Sequence, residues 1–312
     1  MNKKTLFSTV LVFLFLCAAF VSAQDKSNPS KPSFYCLYTW SSEFKGFKDD
    51  VAKVGFKWLR TGGPLDDSYD EGILEAAKYG IRCVPVIGGN DSDKKAPKME
   101  AWKKTVKDFV LKYCEGGTLW KQNPSVPPLP VEYIEIWNEP NIEFLNPPEG
   151  MGRDKAYFDY LKTAYEIIKQ LNPKIKVIGM NTSSLGCVWS NSEGGLNKDG
   201  EHQGLLGWFK FMKGVHKLGG GKYYDILGIH PYGDKSPDNK GNLIKSLDAM
   251  HEEMKTNGNG DKPIWITEVG WSLPGKDVKG KAFEGSAKDE DIQADYILKL
   301  YGISAAHGVE QI

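Results

Sequence analysis

The chain has 312 residues, 40% hydrophobic and 26% charged, and its 40 basic and 40 acidic side chains cancel to a formal charge of +0. That is the make-up of an ordinary globular protein, and with no long basic or acidic block it argues against nucleic acid or an anionic membrane surface as partner. A neutral ligand fits better: 14 Tyr and 9 Trp offer flat faces of the kind that stack on sugar rings, although most Trp in such a chain is core.

Residues 1–23 read as an export signal. Lys3 and Lys4 form a basic start, Leu6 to Leu16 is an apolar run, and Val21-Ser22-Ala23 is a small-residue cleavage site. The run is too short to make a good membrane span. Leu16 before Cys17 is a poor fit to a lipid-attachment box. The expected product is secreted or periplasmic, with a polar tether over 24–33 and one domain over 34–312. Without Cys17, the remaining Cys36, Cys83, Cys114 and Cys187 are too few for a disulfide scaffold and are expected as buried thiols. None of them forms a CxxC metal pair.

From Phe34 onward, short β-rich runs alternate with amphipathic segments. The expected strands are Phe34–Trp40, Trp58–Thr61, Cys83–Ile87, Tyr133–Trp137, Val177–Met180, Ile226–His230 and Ile264–Thr267. Helical patterns fall over Asp70–Tyr79, Pro97–Tyr113, Asp154–Leu171, Gln203–Leu218, Leu243–Met254 and Asp289–Ala306. Gly80 and Pro173 supply stops. Unbroken alternation of this kind points to a parallel sheet, and the continuous apolar runs Val84-Pro85-Val86-Ile87 and Ile226-Leu227-Gly228-Ile229 suit strands covered on both faces. Gly308 to Ile312 opens an eighth strand. The expected fold is therefore an α/β (β/α)8 TIM barrel cut short within strand eight. An open doubly wound sheet is the alternative, but no G-x-G-x-x-G follows the first strand.

In a barrel, the C-terminal ends of the strands converge on one pocket. The second strand ends near Arg60. The fourth ends in Trp137-Asn138-Glu139-Pro140-Asn141, the sixth in His230-Pro231-Tyr232, and the seventh in Thr267-Glu268-Val269-Gly270-Trp271. Two carboxylates in an aromatic-lined pocket are what hydrolysis of a glycosidic bond requires: one protonated to help the oxygen leave, one ionised to attack. Arg60 and the Tyr232 hydroxyl would favour the ionised form at Glu268. Glu139, beside an apolar wall such as Trp137, would keep the proton.

These residues resemble a clan A glycoside hydrolase, near bacterial members of families 39 and 5. The likeness rests on Trp137-Asn138-Glu139-Pro140-Asn141, on Trp265-Ile266-Thr267-Glu268-Val269-Gly270-Trp271, and on Gly116-Gly117-Thr118-Leu119-Trp120 with Asn123-Pro124 and Pro130 upstream. It runs from Phe34 to Ile312. It implies Glu139 as acid/base and Glu268 as nucleophile of a retaining enzyme acting on a β-linked saccharide, with carboxyl groups about 5–5.5 Å apart. It also implies that Asn138 binds the sugar 2-hydroxyl, that Arg60 and Tyr232 position the nucleophile, and that His230 lines the reacting subsite. Trp40, Trp189 and Trp271, at strand ends or in the loops that follow, are candidate sugar platforms or else packing residues. The clan usually draws a further aromatic from the end of strand eight, which this sequence does not reach. A non-catalytic carbohydrate-binding protein, or an inactive remnant, is the rival reading.

Plainer roles stand beside these. Glu135 is expected in a structural ion pair. Trp58, Trp102 and Trp208 are expected between helices and barrel. Asp66-Asp67 and Asp91-Ser92-Asp93 read as turn chemistry, and Gly186 to Gly200 as a loop walling the cleft. No cofactor, metal or oligomer is called for, and a monomer is expected.

Overall fold

The computed structural model describes residues 37–40, 44–46, 48–89, 96–142, 144–184, 205–233, 236–238, 242–276 and 282–312. The expected export signal and tether, Cys36, Cys187, Asp91-Ser92-Asp93 and the Gly186 to Gly200 loop lie outside these residues.

The strands are β1 (Leu37–Trp40), β2 (Trp58–Gly62), β3 (Arg82–Ile87), β4 (Tyr133–Ile136), β5 (Lys176–Ser183), β6 (Ile226–His230), β7 (Ile264–Ile266), the two-residue β8 (Gly275–Lys276) and β9 (Ala282–Phe283), and β10 (Val309–Gln311). The helices are α1 (Lys48–Val54), α2 (Asp67–Lys78), α3 (Met99–Tyr113), α4 (Thr118–Gln122), α5 (Arg153–Leu171), α6 (Leu205–Lys217), α7 (Asn242–Thr256) and α8 (Glu290–Ala306). β1 to β7 and then β10 form one sheet in chain order, every neighbouring pair parallel. β8 and β9 make a small antiparallel hairpin. The expected eighth strand is present as β10, paired to β7. Among the described residues no ladder joins β10 back to β1. No described helix is long and apolar enough to cross a membrane.

Local chemistry explains the helix starts. The Asp66 carboxylate accepts from the Ser68 and Tyr69 amides to cap α2, and Asp289 accepts from the Ile292 amide to cap α8. Both aspartates thereby satisfy donors that the helix leaves unpaired.

Alternation along the strands sorts their side chains into two sets. Leu59, Cys83, Ile134, Val177, Leu227 and Ile264 join the main core with Val106, Phe109, Leu161 and Met212 of the helices. Trp58, Val84, Ile178, Ile226 and Trp265 form a separate apolar cluster, with Tyr133 packed on it. This second set fills the inside of the curled sheet. Trp58 therefore belongs to the interior and not to the helix–sheet contact expected for it: its ring meets Tyr133 edge-on at 5.5 Å, and the strand parity that turns Leu59 outward turns Trp58 inward. Trp102 and Trp208 are buried at 1% exposure on the helices. Cys83 and Cys114 are free buried thiols, and burial pushes the Cys114 thiol up to about 12.

Candidate active site

Two residues further along the inward-facing rows of β2 and β4, and four further along β6, the side chains change character. Arg60 on β2, Glu135 on β4 and His230 on β6 follow Trp58, Tyr133 and the Ile226 row, and all three are buried. Thr267 follows Trp265 just past the end of β7.

The turn after β4 is built by strained backbone. Trp137 has φ 70 and Glu139 φ 45, both in the left-handed region that costs a non-glycine residue about 1–3 kcal/mol. Simple alternation would send Trp137 inward with Glu135. The reversal instead carries its ring outward, 5.5 Å from Trp102 and 5.0 Å from Tyr160, with its Nε1 donating to the Phe144 carbonyl at 3.0 Å. The apolar wall expected beside Glu139 is therefore absent at Trp137.

The turn is fixed on both sides. Asn138 N donates to Gly88 O at 3.2 Å and Glu139 N to Asn181 O at 3.1 Å. The Asn181 amide donates to the carbonyls of Ile136 and Trp137 at 2.9 and 3.1 Å. Gly89, at φ 77, brings its backbone so close that a Cβ there would stand 2.8 Å from Asn138 N. Gly228 serves the same purpose opposite: a Cβ on it would meet Asn181 Oδ1 at 1.9 Å.

A continuous polar network results. Arg60 donates through Nε and Nη2 to the two oxygens of Glu135, at 2.9 and 2.6 Å. Its Nη1 donates to Glu268 Oε2 at 2.7 Å, and Nη2 also reaches Asn138 Oδ1 at 3.1 Å. The Tyr232 hydroxyl donates to Glu268 Oε1. His230 Nδ1 lies 3.1 Å from Glu139 Oε1, and His230 Nε2 lies 3.0 Å from Thr267 Oγ1. One ligand atom from each of Glu139, His230 and Glu268 lies within 4.8 Å of the other two. Three such atoms would suit a cation, but Arg60 and Tyr232 already hold both Glu268 oxygens and Glu139 Oε1 already faces His230.

The electrostatics follow from these contacts. Burial pushes the Glu135 carboxyl up, but the Arg60 charge and hydrogen bonds prevail, and it falls to about 2. Burial also pushes Glu139 up, yet the His230 contact, then the Ser183 hydroxyl and Arg60, leave it below its ordinary value. Burial lowers His230, and hydrogen bonds to Glu135 and Glu139 outweigh that and raise it. Tyr232 is raised by burial and by the neighbouring Glu268 charge, so it stays a donor. Glu139 and His230, 3.1 Å apart, thus form a coupled pair able to share one proton, and both directions favour its place on His230.

Of the residues singled out in the sequence, Arg60, Asn138, Glu139, His230, Tyr232 and Glu268 meet in this one network. Trp271 lines the same cavity as Glu268 but is 4% exposed and packs edge-on against Tyr296 of α8. Trp40 ends β1 opposite Gly62, and its side chain lies outside the description. The cavity, about 430 Å³, runs from Arg60, Tyr232 and Glu268 down past Trp265 and Trp58 toward Gln311. Sequence reading missed the Asn141–Ser183 clamp, in which Asn141 Nδ2 donates to Ser183 O at 2.8 Å and Ser183 N donates to Asn141 Oδ1 at 2.9 Å. The polar run Asn181-Thr182-Ser183 at the end of an apolar strand was the available signal.

The glycosyl hydrolase catalytic core family model matches residues 63–297, well over half the chain. The chain belongs to that family, and its resemblance to clan A glycoside hydrolases stands. Among solved structures it is similar to a monomeric beta-xylosidase from Caulobacter crescentus CB15, with TM-score 0.58, 15% identity, and coverage of 90% of this chain and 60% of that one. The GH39 enzyme from Xanthomonas axonopodis pv. citri gives TM-score 0.58 at 17% identity, over 90% of this chain and 58% of that one. Fungal beta-1,4-galactanases give 0.57 at 18%, over 88% and 87%. At these identities the likeness is one of fold, and this chain spans about three fifths of the first two relatives. No curated protein sequence matches it.

Proposed function

We propose that the protein is a retaining O-glycosyl hydrolase acting on a β-linked oligo- or polysaccharide. The observation that carries this reading is the pair of carboxylates, with oxygens of Glu139 and Glu268 within 4.8 Å. Retaining glycosidases hold their carboxyl groups about 5–5.5 Å apart, whereas inverting ones leave about 6.5–9.5 Å for a water. Glu268, hydrogen-bonded by Arg60 Nη1 and the Tyr232 hydroxyl, attacks the anomeric carbon as the glycosidic C–O bond breaks. Glu139 delivers the shared proton to the departing oxygen, drawing on His230 Nδ1 beside it. In the second half, water attacks the glycosyl ester, and Glu139 takes the water's proton. In this reading Asn138, hydrogen-bonded to Arg60, meets the sugar 2-hydroxyl, and Trp271 and Trp40 are the candidate sugar platforms. No cofactor is needed for this chemistry.

The solved relatives named for β-xylosidase and β-1,4-galactanase activity support a β-linked pentose or hexose chain as substrate class. Lys3-Lys4, the apolar run and Val21-Ser22-Ala23 support export and a mature chain beginning at Gln24. We expect a monomer. The test is a panel of mechanism-based fluorosugar β-glycosides followed by peptide mass spectrometry. Covalent label on Glu268 is the expected result. Binding of saccharides with no label and no turnover would replace this reading with the carbohydrate-binding one.

A further inference from the structure

Glu135 lies beneath the site, fully buried, and does not line the cavity beside Glu268. Its surroundings go beyond those of a simple ion-pair partner. It receives two of the Arg60 donors in fork-on-fork geometry, which fixes the plane of the guanidinium and so aims Nη1 at Glu268. The Oε1 atom that accepts from Arg60 also lies 3.6 Å from His230 Nε2. The other nitrogen of that ring faces Glu139. One buried carboxylate thus has a single intermediary to each of the two carboxylates in the pocket: Arg60 toward Glu268, His230 toward Glu139.

We propose that Glu135 is a positioning residue for glycosyl transfer, orienting Arg60 on the nucleophile and balancing its charge so that the Glu139–His230 pair keeps its proton. The proposal rests on the glycosidase reading above. The charge argument is direct. Arg60 sits against Glu268, its Nη1 donating to Oε2 at 2.7 Å. Left uncompensated, the same buried cation would strip the proton from Glu139 and His230, since like charge disfavours the protonated imidazole and opposite charge favours the carboxylate. Glu135 cancels Arg60 on the side away from Glu268. The groups facing this cluster are Arg60 from β2, Glu139 beyond β4, His230 from β6 and Tyr232 beyond it, Glu268 beyond β7, and the Tyr157 hydroxyl of α5, which feels the Glu135 charge and accepts from the Met180 amide at 2.8 Å. Tyr157 and Tyr232 are both raised by burial and stay neutral, so Glu135 is the balancing charge on the inner side.

The test uses the full chain with Glu135→Gln and Glu135→Asp. Gln keeps the shape and removes the charge; Asp keeps the charge and withdraws it by one methylene. For Glu135→Gln, the alkaline limb of kcat/KM on an aryl β-glycoside should move down by roughly one pH unit or more. For Glu135→Asp, the limb should stay in place while kcat falls and KM holds, because Arg60 is charged but misaimed. A second readout needs no substrate: titration of the His230 ring by NMR, identified by its loss in His230→Gln. It should move down by a similar amount in Glu135→Gln and stay in Glu135→Asp. If Glu135→Gln does not fold, the Asp variant decides, and wild-type kcat there overturns the proposal. A folded Glu135→Gln with unmoved pH limb and unmoved His230 titration also overturns it, leaving only a structural ion pair. If the wild type cleaves no glycoside while His230 still shifts in Glu135→Gln, it is the glycosidase reading that fails, and the charge balance stands.

Discussion

Two layers fill the inside of the sheet, two residues or about 7 Å apart along β2, β4 and β7 and four residues apart along β6. The lower layer is Trp58, Val84, Tyr133, Ile178, Ile226 and Trp265, all apolar or aromatic. The upper layer is Arg60, Glu135, His230 and Thr267, joined by hydrogen bonds to Glu139 and Glu268. The lower layer gains from burial, in proportion to the apolar area it hides. The upper layer gains little net stability, because desolvating the charges consumes most of what their attraction returns. Its arrangement makes sense for placing charge. The comparison teaches that the same strand period separates folding energy from chemistry, so substitutions in the two layers should be separable experimentally.

The largest expected effect is at Glu268. Glu268→Ala should lower turnover by about 10⁴-fold or more, the scale seen when a nucleophile is removed, while thermal stability changes little, because the side chain is at the pocket edge. Kinetics and melting on the same preparation check this. A collapse of the fold would move Glu268 into the structural layer.

Glu139→Ala comes next. Its loss should depend on the leaving group: about 10²–10⁴-fold on poor leaving groups and far less on activated aryl glycosides, which need little protonation. The alkaline limb of the pH profile should flatten too. Equal losses on both classes of substrate would remove Glu139 as proton donor.

The lower layer should answer in the opposite way. Ile178 is fully buried, and it does not line the cavity beside Glu268. Ile178→Ala should cost roughly 2–5 kcal/mol of stability, measured by denaturant unfolding, with kcat of the folded fraction unchanged. A fall in kcat instead would mean that the two layers are mechanically coupled.

Sequence reading captured more of this molecule at the strand ends than in between. Strands β2 to β7 were legible because buried parallel strands write continuous apolar runs, and Glu139 and Glu268 stood out because Asn, Pro and Trp around them end such runs. The α1 helix was missed: seven residues in which Lys48, Asp49 and Asp50 precede Val51 and Lys53 follows it give no periodic signal. Trp58 and Trp137 were misplaced for one reason. Parity along a strand is readable only when its phase is known, and the left-handed φ at Trp137 reverses that phase at the last residue before the site. The partner of Glu139 was not legible either. Its neighbour in space is His230, 91 residues later in the chain, and no local pattern links the two.

The smallest and most discriminating effect compares two buried histidines. In the upper layer, His230 is lowered by burial but raised overall by Glu135 and Glu139, from 6.5. Among the outer helices, His216 is lowered from 6.5 by burial, only partly offset by Glu253 at 3.3 Å. The signs of their linkage are opposite. His230 contributes stability that is full below its unfolded value and is lost as pH rises through its raised folded value. His216 contributes stability that is present above its unfolded value and is lost as pH falls through its lowered one. Melting temperatures of wild type, His230→Gln and His216→Gln between about pH 5 and pH 8, the range in which histidine titrates, should therefore diverge. The wild-type advantage over His216→Gln should shrink toward acid, and the advantage over His230→Gln should shrink toward base. Parallel curves would mean that the upper layer does not hold a shared proton, and that the two regions differ in packing alone.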